Sequence, residues 1–290
     1  MNDLYTSFGA GGYTNTEITR QNPSCFIFLI DQSSSMAAPF GPSEPGAPAQ
    51  TKAEAVALAL NNLMRNLILT CSKSEGVRDY FDVGVIGYGR YVGPAWGGAL
   101  AGRELAPVSE VASSVLRMTE RQIEVAPGVW EGVRAPLWVE PRAEGSTLMG
   151  GALEYTYQVL SHWIGRNPMS VPPVVVHITD GEATDGDPAG YLLALSKLGT
   201  QNGRVTLFNV HLSSRQSASA ISFPDDPSGL PDAYSKLLFD RASVLTPFMR
   251  SVAWENGLPL SDAARAFVLN ADPTLLVLAL EIGTRPGRLW

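Results

Sequence analysis

Cysteine is nearly absent from this chain of 290 residues, and charged residues are few. Two cysteines, Cys25 and Cys71, cannot build a disulfide framework, and because both lie in apolar segments we expect buried free thiols. Charged residues make up 17% and hydrophobic residues 45% of the sequence, which favours a packed globule over a disordered chain. The net charge of −7 argues against nucleic-acid and membrane partners, since both require clustered basic residues.

Long hydrophobic runs are also missing. The apolar run at 275–280 is far shorter than the roughly 20 residues that span a bilayer. Residues 1–20 are polar and rich in Gly and Thr, which is unlike a secretory signal. These absences predict a cytoplasmic protein.

The apolar segments alternate between strand-like and helix-like patterns. Strands are predicted at 25–30, 81–89, 173–179, 204–212 and 266–270. Helices are predicted from Thr51, over 148–163, 187–198 and 232–256, and from Asp272. Strands that alternate with helices call for a mainly parallel sheet covered on both faces. We therefore predict an α/β fold with a doubly wound sheet, as a single domain over 24–290 that follows an N-terminal arm at 1–23.

Three insertions interrupt the alternation, at about 37–50, 90–145 and 213–231. The middle insertion is predicted to contain a β-hairpin between Arg121 and Pro141. Its tryptophans form either a small satellite core, which we favour, or an exposed partner patch. They are Trp96, Trp130 and Trp138.

Prolines recur at every third position of the first insertion, which is the period of a polyproline II turn. They are Pro39, Pro42, Pro45 and Pro48. One hypothesis is a stiff wall or lid beside a binding site that adds partner contacts. A solvated spacer explains the same spacing equally well.

Two predicted strands end in aspartate, Asp31 and Asp180, and small polar residues follow each of them. Ligands of open α/β sheets bind beyond the carboxyl ends of the strands. Alternate residues of an extended turn point the same way, so the Asp31 carboxylate can converge with the hydroxyls of Ser33 and Ser35. A hard cation such as Mg²⁺ prefers oxygen ligands of this kind.

Three segments carry a resemblance to one family. Residues 28–36 (FLIDQSSSM) resemble the first loop of the metal-ion-dependent adhesion site of von Willebrand factor A (vWA) domains. Residues 145–150 (GSTLMG) and 178–182 (ITDGE) resemble the second and third loops, in family order. The resemblance covers roughly 24–290. It implies metal ligation by Asp31, Ser33, Ser35, Thr147 and Asp180.

The resemblance implies a sheet of about six strands with one short antiparallel edge strand. It also implies a bound Mg²⁺, or Mn²⁺ or Ca²⁺, and a protein partner that supplies an acidic side chain to the ion. Ser34 stands where many relatives have glycine, which matters only if the backbone there needs a positive φ. Residues 179–185 and 205–210 look most like bacterial vWA proteins of the tellurite-resistance (TerY-like) type. That likeness implies a scaffold in a stress-response, signalling or defence complex, with a kinase- or phosphatase-linked or effector partner.

Several alternatives stay open. Asp31 could serve a Mg²⁺-dependent phosphoryl-transfer enzyme, although Ser33 stands where phosphatases with such a nucleophile carry a second Asp, so we predict no catalysis. The turn could instead be purely structural, with Asp and Ser capping backbone groups, and the chain a structural subunit with an empty site. Thr147 could cap the following helix. The remaining acids at this edge are expected in a cap, for Asp187, or in a solvated rim, for Glu144, Glu182 and Asp185. His162, His177 and His211 are expected to be satisfied structural residues.

Overall fold

Five parallel strands form the middle of one sheet, and short antiparallel strands flank them. The computed structural model describes residues 17–41, 49–126, 129–212 and 219–286, without the side chains of 121–130. The strands are β1 (Ser24–Asp31), β2 (Ser72–Lys73), β3 (Gly76–Val77), β4 (Phe81–Tyr88), β5 (Val92–Pro94), β6 (Ala106–Pro107), β7 (Arg117–Ala126), β8 (Val129–Leu137), β9 (Val174–Thr179), β10 (Gly199–Thr200), β11 (Gly203–Arg204), β12 (Thr206–Leu212), β13 (Ile221–Ser222) and β14 (Phe267–Ala271). The helices are α1 (Lys52–Cys71), α2 (Val108–Ser113), α3 (Met149–Arg166), α4 (Ala189–Lys197), α5 (Ala233–Arg241), α6 (Pro247–Glu255) and α7 (Pro273–Thr284).

The main sheet has the order β13-β14-β12-β9-β1-β4-β5, and β6 pairs with β4. β1 lies between β4 and β9 and is parallel to both. The chain runs from β1 through α1 to β4 on one side, then through α3 to β9 on the other side of β1. This reversal defines a doubly wound sheet, so the predicted fold class is confirmed.

Both faces of the sheet are covered, which explains why β1 is apolar along its length. All eight residues of β1 are buried. Phe26 and Phe28 pack in one cluster with α1, α2, α6 and α7, while Ile27 and Leu29 pack in a second cluster with α3, α4 and α5. The alternation follows the two-residue period of a strand. A strand buried on both faces reads as a continuous apolar run, as observed here.

Helix α1 begins at the predicted capping box. The Thr51 hydroxyl accepts a bond from the Glu54 amide at 3.2 Å, and the Glu54 carboxylate accepts one from the Thr51 amide at 2.8 Å. These two bonds satisfy amides that the first turn of a helix leaves without partners. The cap fixes the position at which Lys52 enters the helix.

Three predictions about the elements were wrong in detail. Within the described residues the sheet has eight strands instead of about six, because the antiparallel strands β5, β6 and β13 are too short to show a periodic pattern. The predicted helix over 232–256 is two helices, α5 and α6, since Val244 pairs with Arg265 and Thr246 caps a new helix. Helix α4 begins one residue late, with Pro188 instead of Asp187 at the N-cap.

The predicted hairpin in the middle insertion is present as the pair β7–β8. Trp96 and Trp138 are 3% and 2% exposed, so the prediction that they are buried is confirmed for these two. They belong to the main core, however, and do not form a separate satellite core. Trp138 donates from its indole to the Val111 carbonyl, and the buried Asn61 side chain accepts from the Trp138 amide. The Trp130 side chain lies outside the described residues.

The described part of the chain leaves out residues 1–16, 42–48 and 213–218. The first of these ranges is most of the N-terminal arm, and the second is the middle of the proline-spaced insertion. On the described flanks, Ile18 packs into the main core. The Phe40 amide donates to the Gln50 carbonyl at 2.7 Å, which brings the two ends of the proline-spaced insertion together. Within the described ranges, the helices lack the length and apolarity needed to cross a membrane.

Candidate metal centre

The strand order reverses between β1 and β9, and the candidate site lies at that point. Phe26 to Ile30 pair in register with Val174 to Ile178, so the two strands end side by side. Asp31 is the last residue of β1, and Asp180 follows the last residue of β9. The reversal of a doubly wound sheet leaves a crevice at this edge, where such folds bind ligands.

Asp31 is held by uncharged donors. Its carboxylate accepts a bond from the Ser33 amide at 2.8 Å and one from the Thr179 hydroxyl at 3.0 Å. The residue is 2% exposed, and this burial raises the pKa of the Asp31 carboxyl, against the lowering effect of its hydrogen bond from Ser33. Nearby Asp180 raises it further. A buried carboxylate of this kind is stabilised by a nearby positive charge.

Ser33 and Ser35 connect the first loop to the third. The Ser35 hydroxyl donates to the Asp180 carboxylate at 2.6 Å, so at the 2.9 Å contact between the two serines Ser33 is the donor. Ser33 is 2% exposed, whereas Ser35 is exposed to solvent. Three of the predicted ligands thus form one continuous hydrogen-bonded row.

Thr147 lies in the second loop and is 7% exposed. Its carbonyl accepts bonds from the amide and the hydroxyl of Thr184 at 2.9 and 3.0 Å, which joins the second loop to the third. The Gly145 carbonyl accepts bonds from the amide and the hydroxyl of Ser34, both at 3.0 Å, which joins it to the first. Leu148 occupies the N-cap of α3 without a side-chain bond, so the capping alternative for Thr147 is wrong.

Gly145 allows the second loop to approach the end of β4. Its φ is +84°, and a Cβ there would lie 2.4 Å from the Arg90 amide nitrogen. A residue with a side chain would therefore push the loops apart. Ser34 is not among the described residues with a positive φ, so serine in place of glycine leaves the first loop unstrained.

The other acids of this edge make no described hydrogen bond to the predicted ligands. Asp185 accepts bonds from the amides of Gly150 and Gly151, each at 2.9 Å, and thereby caps α3 from another loop. Our expectation of a solvated rim missed this role, although two glycines at a helix start are an available signal. Asp187 accepts from the Ala189 amide at 2.9 Å, and Glu182 is exposed.

Lys52 is a component of the site that the sequence analysis missed. Its ammonium lies 2.8 Å from the second carboxylate oxygen of Asp180. The two side chains are 4% and 0% exposed. The contact spans 128 positions in sequence, and no local pattern around Lys52 indicates it.

A neutral polar chain lies beneath the site. Tyr88 donates from its hydroxyl to His177 at 2.8 Å, and His177 contacts the Asn209 side-chain oxygen at 3.1 Å. Burial lowers the pKa of His177 from 6.5 to about 4, so the ring is neutral at pH 7. His177 is therefore a satisfied structural histidine, as expected. His211 is not satisfied, because its Nδ1 has no hydrogen-bond partner among the described residues.

The chemistry of the donors fits a hard divalent cation. The described residues contain no cluster of three or more His, Cys, Asp or Glu suited to a metal, so any metal held here must also draw on hydroxyl oxygens. The converging groups are two carboxylates and serine hydroxyls, all of them oxygen donors. Mg²⁺, Mn²⁺ and Ca²⁺ prefer such ligands.

No family model and no curated protein matches the sequence. Solved structures are weakly similar. The manganese-loaded TRAP protein of Plasmodium vivax is 14% identical, with a TM-score of 0.39 over 90% of this chain and 72% of that one. The vWF domain of the pili tip protein Mfa5 from Porphyromonas gingivalis is 12% identical, with a TM-score of 0.32 over 56% of this chain. This chain covers 39% of that structure, and 20% of a structure of three N-terminal domains of Mfa5. The function of this chain is therefore inferred from its own residues.

Proposed function

We propose that this chain is a non-catalytic protein-binding module of the vWA type that depends on a divalent cation. The ligands would be Asp31, Ser33, Ser35, Thr147 and Asp180. The observation that supports this most strongly is the row of bonds that links Ser33, Ser35 and Asp180 beside the buried carboxylate of Asp31. A divalent cation bound there supplies positive charge and a coordination position for a partner's carboxylate.

The residues of the chain suit this task because most of their oxygens are fixed before any ion arrives. The Ser33 amide and the Thr179 hydroxyl orient Asp31, and Ser35 bonds directly to Asp180. Hydroxyl ligands are neutral, so a site with few carboxylates retains affinity for a negatively charged group from outside. Ser35 is exposed and marks the side from which that group would approach.

The surface beside the first loop has two arginines against one glutamate, which lies 3.8 Å from Arg90, and this excess of positive charge suits an acidic partner. A cavity of about 170 Å³ lies there, lined among others by Gln32, Arg90, Tyr91, Arg142 and Glu144. Both arginines are exposed, and Tyr91 is 72% exposed with the Arg90 guanidinium above its ring. Exposed arginines and a tyrosine are the residue types that contribute most at protein interfaces. The resemblance of residues 179–185 and 205–210 to tellurite-resistance proteins supports our proposal that the module works in a stress-response, signalling or defence complex.

The phosphoryl-transfer alternative is less well supported. Asp31 is 2% exposed and both of its oxygens accept hydrogen bonds, which is unsuitable for a nucleophile that must reach a phosphate. Ser33, at the position where a general acid would be needed, donates to Ser35. A hydroxyl that bonds within the site does not supply the acid.

The test combines cation binding with partner capture. Calorimetry with MnCl₂ should show binding by the wild-type protein and its loss, by about 100-fold or more, in Asp31→Ala, since a ligand and its charge are removed. Pull-downs from native extract are run with Mg²⁺, with chelator and with Asp31→Ala. A partner should be retained only in the first.

Glu182→Gln is the matched control, because it removes an exposed carboxylate near the site that makes no described bond to the ligands. It should bind Mn²⁺ and the partner as the wild type does. Mn²⁺ affinity that is unchanged in Asp31→Ala would contradict the proposed site. Turnover of a phosphate ester that disappears in Asp31→Ala would establish the enzyme instead.

A further inference from the structure

The position of Lys52 is unusual for a lysine in two respects. Among the ion pairs of the described residues, Lys52–Asp180 is the one whose two side chains are both buried. Lys52 is also the first residue of α1, where the positive end of the helix dipole disfavours a cation. A lysine is unfavourable here both because it is buried and because it begins a helix. Its ion pair with Asp180 is therefore the interaction that accounts for its presence.

The backbone holds Lys52 firmly in this place. Its amide donates to the Ala38 carbonyl at 3.1 Å, and the preceding Thr51 pairs with Pro39 and caps the helix. The backbone of Lys52 is therefore fixed by hydrogen bonds, and its ammonium lies beside Asp180 in the interior, unlike that of a surface lysine. The hydrogen bond from the Lys52 amide joins the end of the first loop, at Ala38, to the start of α1.

The charges at the site explain what the ammonium does. Asp31 and Asp180 bring two negative charges and Lys52 brings one positive charge, so the group carries one net negative charge. His211 also lies near Lys52 and Asp180. Its pKa is lowered from 6.5, mainly by burial and next by the charge of Lys52, so it adds no charge at pH 7. Lys52 therefore neutralises half of the charge that would attract a divalent cation.

We propose that the Lys52 ammonium is a built-in cation that holds Asp180 and competes with the divalent cation for its carboxylate. This inference rests on the proposed cation site. The ammonium repels any cation that binds to Ser35 and Asp180, and it already bonds to one of the two Asp180 oxygens. It keeps the site assembled without metal and sets the cation affinity lower than the oxygen donors alone would give.

The test measures Mn²⁺ binding by calorimetry in Lys52→Met, which keeps the length of the side chain and removes its charge. We expect Lys52→Met to bind Mn²⁺ at least about tenfold more tightly than the wild type, because one repulsive unit charge within a few ångströms is gone. Lys52→Gln, which keeps a donor for Asp180, should bind more tightly as well and serves if Lys52→Met folds poorly. Mn²⁺ should also raise the melting temperature of both variants by more than it raises that of the wild type.

Lys197→Met is the matched control, since Lys197 is exposed at the end of α4. It should bind Mn²⁺ as the wild type does. Equal or weaker binding by folded Lys52→Met and Lys52→Gln would overturn the role of Lys52 and leave the cation site standing. Binding by these variants but not by the wild type would overturn the proposed function and establish Lys52 as the resident cation. No binding by any of them would overturn both.

Discussion

The carboxylates of Asp31 and Asp180 end neighbouring strands, but their charges are compensated differently. Asp180 is bonded to the Lys52 ammonium and the Ser35 hydroxyl. Asp31 accepts bonds from an amide and a hydroxyl and has no cationic partner among the described residues. One carboxylate therefore belongs to a buried ion pair, and the other is buried with its charge uncompensated.

This difference indicates which of the two aspartates a bound cation would stabilise more. A buried charge is costly unless it is paired, so the folded protein tolerates Asp31 at the expense of stability. A cation at the site would relieve that cost. Asp180, already paired, contributes to the folded state with or without metal. The two aspartates should therefore respond in opposite directions to the loss of their charge.

The largest effect is expected from Asp180→Asn. The change leaves the Lys52 ammonium buried without a carboxylate, and breaking a buried pair in this way costs about 3–5 kcal/mol. Urea unfolding in the presence of chelator measures the free energy of unfolding. The double variant Lys52→Met/Asp180→Asn should recover part of the loss, because neither charge is then buried alone.

Asp187→Asn provides the control for this prediction, since Asp187 is an exposed aspartate at the same edge of the sheet. It should change the free energy of unfolding by less than about 1 kcal/mol. A loss of the same small size in Asp180→Asn would show that Lys52 and Asp180 are not a stabilising pair, and the comparison between the two aspartates would then collapse.

Local patterns predicted the parts of the site that lie on single strand ends. The apolar run before Asp31 and the one before Asp180 were long enough to identify buried parallel strands, and parallel strands end at one edge. Asp31, Ser33, Ser35 and Asp180 accordingly lie together in the structure. Their role as metal ligands stays a prediction.

The remaining parts depend on contacts between distant segments, which local patterns do not contain. Lys52 meets Asp180 across 128 positions, and Asp185 meets Gly150 across 35. One error was avoidable. Thr246–Pro247 has the same form as Asp272–Pro273, which was recognised as a helix start, yet the helical periodicity of 232–256 was followed through it.

A second, smaller effect concerns His177, a buried group that avoids the cost of a charge by staying neutral. Between about pH 6.5 and pH 4 the unfolded chain binds a proton at this residue and the folded protein does not. Stability therefore falls as the pH falls through this range. At pH 4, His177 should lower the free energy of unfolding by about 3 kcal/mol, because each unit by which its pKa is lowered corresponds to about 1.36 kcal/mol.

The measurement compares urea unfolding of the wild type and His177→Gln from pH 7 to pH 4. The wild type should lose about 3 kcal/mol more than the variant over this range. His162→Gln is the matched control, because His162 is exposed on α3 and its replacement measures the effect of losing a surface histidine. Parallel pH profiles for wild type and His177→Gln would show that the buried ring is protonated as readily as in the unfolded chain.

The smallest effect has the opposite sign and concerns Asp31→Asn. Burial raises the pKa of the Asp31 carboxyl, so in the absence of metal at pH 7 the folded state is destabilised by its charge. Asparagine keeps an acceptor for the Ser33 amide and removes the charge. We expect the free energy of unfolding in chelator to rise by roughly 1 kcal/mol, against the usual direction of a buried substitution.

Added Mn²⁺ should then stabilise the wild type and leave Asp31→Asn unchanged, so that the stability order of the two proteins reverses with the metal. This reversal distinguishes a cation site from a structural turn, which would weaken on substitution under both conditions. If Asp31→Asn is less stable than the wild type in chelator, the Asp31 charge is compensated without metal. The distinction from Asp180 would then lie in Lys52 alone.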